Sequence, residues 1–176
     1  MLMICIVVLM SACMASFVMF GSVVRSDAQA VQADAIAQAM AQEHQAALRA
    51  CAASAPGCSG GHLPINTEPY RHPSLQNAPL LTTAQIFSGF DPASGGVVIT
   101  LLKTPSGQLN SGALWGQVST RLMMNNNRRS GYGYFDDGTN TVVSGAGPGT
   151  LVLPNTVGGI PLEKQMPLIA EPLPKS

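Results

Sequence analysis

The chain opens on an unbroken apolar run. No side chain from Met1 to Val24 carries a charge, and the first charged residue is Arg25. As a helix, this run extends about 36 Å at 1.5 Å per residue. The hydrocarbon core of a bilayer is about 30 Å thick, so the run is long enough to span it with some tilt. The pattern then changes. Ser26 to Ala53 holds twelve alanines, with Gln and Glu filling much of the rest, and predicts one long helix. Ser26-Asp27 supplies its start and Pro56-Gly57 its stop. Ala33, Ile36, Ala37, Met40, His44, Ala47, Leu48 and Cys51 recur at spacings of three and four, a narrow stripe of mostly small side chains. Such a stripe packs closely on the chain's own sheet, the preferred expectation, or on a partner's helix.

Downstream the periodicity is shorter and more broken. Four prolines, Pro64, Pro69, Pro73 and Pro79, mark residues 58–79 as a loop. "PLLTTAQIFSGF" predicts a short helix capped by Thr82 or Thr83, and Asp91-Pro92 turns the chain. Val97 to Lys103 is the clearest strand, apolar on both faces and therefore central. Leu109, Ala113, Leu114, Val118, Leu122 and Met123 share one helical face, with Ser111 as N-cap and Asn125–Asn127 as the end. "SGYGYFDDGTNTVVSG" predicts a hairpin: Tyr132, Tyr134 and Phe135 on one arm, a turn over 136–140, and Thr141–Ser144 on the other. "GTLVLPNTV" adds a further strand. Residues 158–176 carry four prolines and little periodicity, and predict an extended tail whose apolar residues must pack on this domain or on a partner. The expected fold class is α+β. A transmembrane anchor (1–24) and an Ala-rich helix (25–57) precede a small domain (58–157) with a central strand, a helix and a C-terminal β-hairpin; a Pro-rich tail (158–176) follows.

The flanks of the apolar run decide how it is read. A cleaved signal peptide carries a basic start and an apolar core of about 7–15 residues. Here no Lys or Arg precedes Arg25 and the core is longer. "MSAC" at Met10–Cys13 only loosely matches a lipoprotein box, and a pilin leader would place a basic segment and a glycine before the apolar run. A retained single-span anchor is the expectation. The alternative is cleavage after the "AQA" of Ala28–Ala30, which would release a secreted or periplasmic binding module. Basic residues near the run barely specify orientation. The short segment before the helix and the Cys51/Cys58 pair favour a domain outside the cytoplasm.

Composition narrows the function classes. Nine basic residues balance nine acidic ones, which leaves no basic footprint for nucleic acid. Cys51 and Cys58, with six residues between them and no second ligand pair at zinc spacing, are expected to form a disulfide in an oxidising compartment; two free thiols are the other reading. No phosphate-binding glycine loop, G-x-S-x-G or H-E-x-x-H motif occurs. His44, His62 and His72 match no metal-ligand spacing, and Asp136-Asp137 reads as a turn former. No catalytic, cofactor, metal or small-molecule site is expected. The candidate interface residues are Ala33, Ala37 and Met40 on the stripe, Trp115, and Tyr132 and Tyr134 on the hairpin.

Taken together, the uncharged span, the helix "AQAMAQEHQAALRACAASAPG", the helix "ALWGQVSTRL", "SGYGYF" and the late "GTLVLPNTVGGIP" resemble the PilM family of type IVB (thin) pilus operons of conjugative plasmids. That family is distinct from the actin-like cytoplasmic protein of the same name. The resemblance covers nearly the whole chain at the level of architecture. It implies a non-enzymatic accessory protein of the bacterial inner membrane. Its expected partners are the membrane and other pilus-assembly proteins or pilin, its expected place is a single-pass topology with the C-terminal domain in the periplasm, and its expected role is scaffolding pilin transport or the basal body.

Overall fold

The computed structural model describes residues 2–55, 57–58, 64–73, 85–103, 111–126, 131–157 and 159–173; for 2–26 and 111–112 it describes the backbone alone. Two compact units divide the chain, Met1–Gln32 and Ala33–Ser176. The first is helical from Leu2 onward. The second is α+β.

Helix α1 runs unbroken over Leu2–Ala52. Among the described residues no helix is long and apolar enough to cross a membrane. The side chains of the expected anchor, 1–24, lie outside the described set. The helix stops before the Pro56-Gly57 signal. Ser54 takes a left-handed φ of 55°. Its N–H donates to the Cys51 carbonyl (3.0 Å), and that of Ala55 donates to the Ala50 carbonyl (3.0 Å). Those two bonds form a Schellman cap, with buried Ala55 closing the end.

A single antiparallel sheet of six strands organises the second unit. Its strands are β1 (Ile86–Asp91), β2 (Val97–Leu102), β3 (Tyr132–Asp136), β4 (Thr141–Ser144), β5 (Gly147–Val152) and β8 (Pro167–Pro172). A two-stranded ribbon, β6 (Thr156–Val157) and β7 (Ile160–Pro161), lies between β5 and β8 in the chain. Helix α2 spans Ser111–Asn125 between β2 and β3. The order across the sheet is β1-β2-β8-β3-β4-β5. Central β2 and the β3–β4 hairpin fall where the sequence pattern puts them, and β5 is the further strand.

Two expectations are corrected. The short helix over "PLLTTAQIFSGF" is replaced, where described, by strand β1. Ile86–Asp91 pairs residue for residue with β2, because burial against a neighbouring strand overrides weak local helix preference. The expected tail contributes the sheet's interior strand. In β8, Leu168 and Ile169 are fully buried and Ala170 nearly so. They pair with Leu101, Thr100 and Ile99 on one side, and Ile169 and Leu168 pair with Tyr132 and Gly133 on the other. The apolar residues of 158–176 pack on this domain.

Alternation along β2 separates the two faces of the sheet. Val98 and Thr100 face α1: Val98 clusters with Ala47, Ala50 and Cys51, and Thr100 meets His44. Val97, Ile99 and Leu101 point the other way and are also fully buried. They share a core with Leu153, Val157, Leu162 and Met166 of the connection that carries β6 and β7, and β6 reaches β1.

Strand β3 is held close to both neighbours by the glycines of "SGYGYF". A Cβ on Gly133 would collide with the Val143 carbonyl oxygen and lie 2.8 Å from its carbon; one on Gly131 would collide with the Ala170 carbonyl oxygen. Gly133→Ala must therefore part β3 from β4. A loss of roughly 3 kcal/mol is expected in denaturant unfolding.

Candidate functional site

The polar chemistry of the folded unit gathers on the C-terminal half of α1. Glu43 is only 4% exposed although it is a carboxylate, and an ionised carboxylate is buried at tolerable cost only with partners. It has three contacts. Arg71 Nε donates to Oε2 (2.7 Å) and Arg71 Nη2 to Oε1 (2.8 Å), a two-pronged ion pair. The Thr67 hydroxyl donates to Oε1. Thr67 and Arg71 flank the 3₁₀ turn Glu68–Tyr70, so the proline-rich loop is fastened to α1 through one carboxylate. The pairing holds the Arg71 guanidinium above its ordinary value, chiefly through the hydrogen bonds to Glu43, against the pull of burial.

One residue further on, His44 is fully buried. Its Nδ1 lies 3.0 Å from the Thr100 hydroxyl, which lies 2.8 Å from that of Ser88. Its Nε2 has no hydrogen-bond partner. The Glu171 carboxylate stands 3.6 Å away, beyond hydrogen-bond length but within reach of an ion pair. The direction of the Nδ1–Thr100 hydrogen bond follows the tautomer of the imidazole. Tyr132 meets the imidazole edge-on, with ring centroids 6.1 Å apart. Hydroxyl, imidazole and carboxylate in that order resemble a nucleophile relay. Here Thr100 is fully buried and Ser88 is 4% exposed, so both hydroxyls sit inside the packed unit and not at its surface. The arrangement fixes the register of α1 on β1, β2 and β8.

Cys51 and Cys58 are joined in a disulfide with their Cα atoms 5.2 Å apart. It closes a short loop just after the α1 cap. Reduction is expected to cost about 2–3 kcal/mol in the chain-entropy account, read as a lower melting temperature in reductant and reproduced by Cys58→Ser.

The candidate interface residues divide. Ala33, Ala37 and Met40 lie inside the chain's own core with Trp115 and Tyr132. The stripe packs on the sheet of the same chain, so in the folded unit these five side chains are not presented outward. Tyr134 is half-buried. It lines a surface groove of about 240 Å³ together with Gly116, Ser119, Thr120 and Met123 of α2 and with Gln165. Sequence alone does not mark Glu43, because a carboxylate in an Ala/Gln-rich helix looks like part of a solvated face; its place one residue before the stripe's His44 is the available signal. Among the described residues no three His, Cys, Asp or Glu side chains gather as metal ligands. His62 lies outside the described residues. Asp136 accepts from the Thr139 hydroxyl (2.8 Å) within its turn. Asp137 pairs with Lys164 at 3.4 Å, with both side chains more than half exposed.

Compared with protein-family models, with characterised proteins and with solved structures, the chain matches none.

Proposed function

We propose that the chain is a single-span, non-enzymatic accessory component of a type IVB pilus assembly machine. In this reading it is anchored in the bacterial inner membrane, with the folded unit in the periplasm. The observation that carries the reading is α1. One helix from Leu2 to Ala52 takes in the uncharged run from Leu2 onward and includes residues that build the folded unit's core. The Cys51–Cys58 bond supports an oxidising compartment. The architectural resemblance to the PilM family supports the pilus assignment. The function is scaffolding: the anchor holds the domain at the membrane surface, and its exposed faces meet pilin or other assembly proteins.

Affinity capture of the tagged full chain from detergent-solubilised membranes of pilus-producing cells tests the assignment. Pilin or assembly components are expected in the eluate above an untagged control; an eluate without any pilus protein contradicts the assignment. Sequencing the N-terminus of the mature protein separates this reading from release after Ala30, which would expose Val31.

A further inference from the structure

An aspartate can react with its own chain: the amide nitrogen of the next residue attacks the side-chain carboxyl carbon and closes a succinimide ring. The chain has five aspartates, and the fold holds four of them away from that reaction. Asp27 and Asp34 lie inside α1, where the amides that follow them belong to the helix. The Asp34 carboxylate also accepts from Gln38 Nε2 (3.2 Å) and Asn125 Nδ2 (2.9 Å). Asp91 precedes Pro92, which has no N–H to lose, and its carboxylate accepts from the Ala93 and Ser94 N–H groups at 3.1 Å each. Asp136 closes β3, with its carboxylate accepting from the Thr139 hydroxyl (2.8 Å).

Asp137 differs on each of these points. It opens the turn over 137–140 that joins β3 to β4, and Asp137, Gly138 and Thr139 are all exposed. Its carboxylate meets Lys164 Nζ at 3.4 Å, with the two side chains 52% and 66% exposed. A solvated ion pair of that kind holds a side chain only weakly. The residue that follows is a glycine, which has no Cβ to crowd the attacking nitrogen and the widest backbone freedom of any residue. The packing does not demand that glycine. A Cβ built on Gly138 lies 3.8 Å from both Asp136 carboxylate oxygens, an ordinary contact. Water, needed to open the ring, reaches an exposed turn freely.

We infer that Asp137–Gly138 is a modification site of the folded chain, at which Asp137 isomerises to isoaspartate. The Gly138 nitrogen bonds to Asp137 Cγ, the Cγ–O bond breaks, and the amide proton leaves with the carboxyl oxygen as water. Water then adds to the ring's main-chain carbonyl and breaks the original peptide bond. The chain now runs through the Asp137 side chain, and the former main-chain carbonyl is a free carboxylate. One water is released and one taken up, so mass and net charge are unchanged. The main chain gains one atom inside the turn that sets the Asp136↔Thr141 pairing, and the carboxylate leaves its place beside Lys164. The inference rests on the folded unit and not on the pilus assignment. Incubating the purified full chain in detergent at neutral pH, then mapping its peptides by chromatography and electron-transfer fragmentation, tests it. A synthetic peptide of the β3–β4 hairpin sequence serves as the unfolded control. Isoaspartate is expected at Asp137, at a rate comparable to the peptide's, and not at Asp136 or Asp91. Gly138→Ala is expected to slow it at least about tenfold, equivalent to about 1.4 kcal/mol of activation free energy. Asp137→Glu, which keeps the charge beside Lys164, is expected to stop it. The inference is overturned if Asp137 stays unconverted in the folded chain while the peptide converts, if Asp136 converts as fast as Asp137, or if a folded Gly138→Ala variant converts at the original rate. Should Gly138→Ala not fold, the comparison of chain with peptide decides alone.

Discussion

A chain ending at Gln165 will not fold. The missing segment is β8, and the sheet is built around it. On one side β8 pairs with β2, from Val97↔Pro172 to Leu101↔Leu168. On the other it pairs with β3 through Ile169, Leu168 and Pro167. The contact extends past the strand ends: Phe135 N–H donates to the Met166 carbonyl (3.0 Å), Ala170 N–H to that of Gly131 (2.9 Å) and Leu173 N–H to that of Gly96 (2.9 Å). Without β8 the β1–β2 hairpin and the β3–β4–β5 meander share no strand pairing. Each fully buried Leu or Ile contributes about 1.5–3 kcal/mol through burial. Leu168 and Ile169 together, with the ladder on both sides, are comparable to the 5–15 kcal/mol that holds a typical domain. The truncated chain is expected to show no cooperative thermal transition and no near-ultraviolet signal from Trp115. The milder Ile169→Ala is expected to fold with a loss of about 2–5 kcal/mol. A truncated chain that melts cooperatively would contradict this topology.

The second large effect is an asymmetry at Glu43. Arg71→Ala leaves a 4% exposed carboxylate without its charged partner. Breaking one end of a buried pair costs about 3–5 kcal/mol. Glu43→Gln removes the buried charge itself, keeps an amide that accepts from Thr67, and leaves Arg71, whose side chain is 22% exposed, to turn toward water. It is expected to cost less than half as much. Glu43→Leu combined with Arg71→Met is expected to recover most of the loss, because an apolar pair of similar volume pays no desolvation of charge. Denaturant unfolding of the three variants measures the order. The Arg71 end of the pair adds no pH dependence near neutrality. Its folded pKa is raised above the ordinary guanidinium value, chiefly by the hydrogen bonds to Glu43, so its contribution is complete below that ordinary value and fades only as pH rises through the folded one.

Both predictions rest on long-range contacts that local sequence patterns do not show. Local patterns were readable: the Ala-rich stripe, the apolar run of β2, and the hairpin with its Asp-Asp-Gly-Thr-Asn turn. Each is encoded within one continuous stretch of the chain. Strand β8 was not readable. "MPLIAEP" has prolines at both ends, a composition that suggests a tail. Its partners Leu101 and Tyr132 lie far away in sequence, so only the folded pairing identifies it as interior. Proline is tolerated there because it occupies the first and last positions of the strand. The same non-locality hid the polar contacts. Glu43 and Arg71 are 28 residues apart, and Arg71 lies in a loop that reads as solvated. Strand β1 is hidden in the sequence because "TTAQIFSGF" carries a capping signal at Thr82 and Thr83 but no strand alternation.

The central claim is that the apolar N-terminal half of α1 holds this chain in a membrane. Extraction of membranes from cells making the untruncated chain with alkaline carbonate tests it most directly, with the intact polypeptide followed through pellet and supernatant. The account predicts that the protein stays with the lipid pellet and is released only by detergent. Recovery of the intact chain in the carbonate supernatant would contradict it.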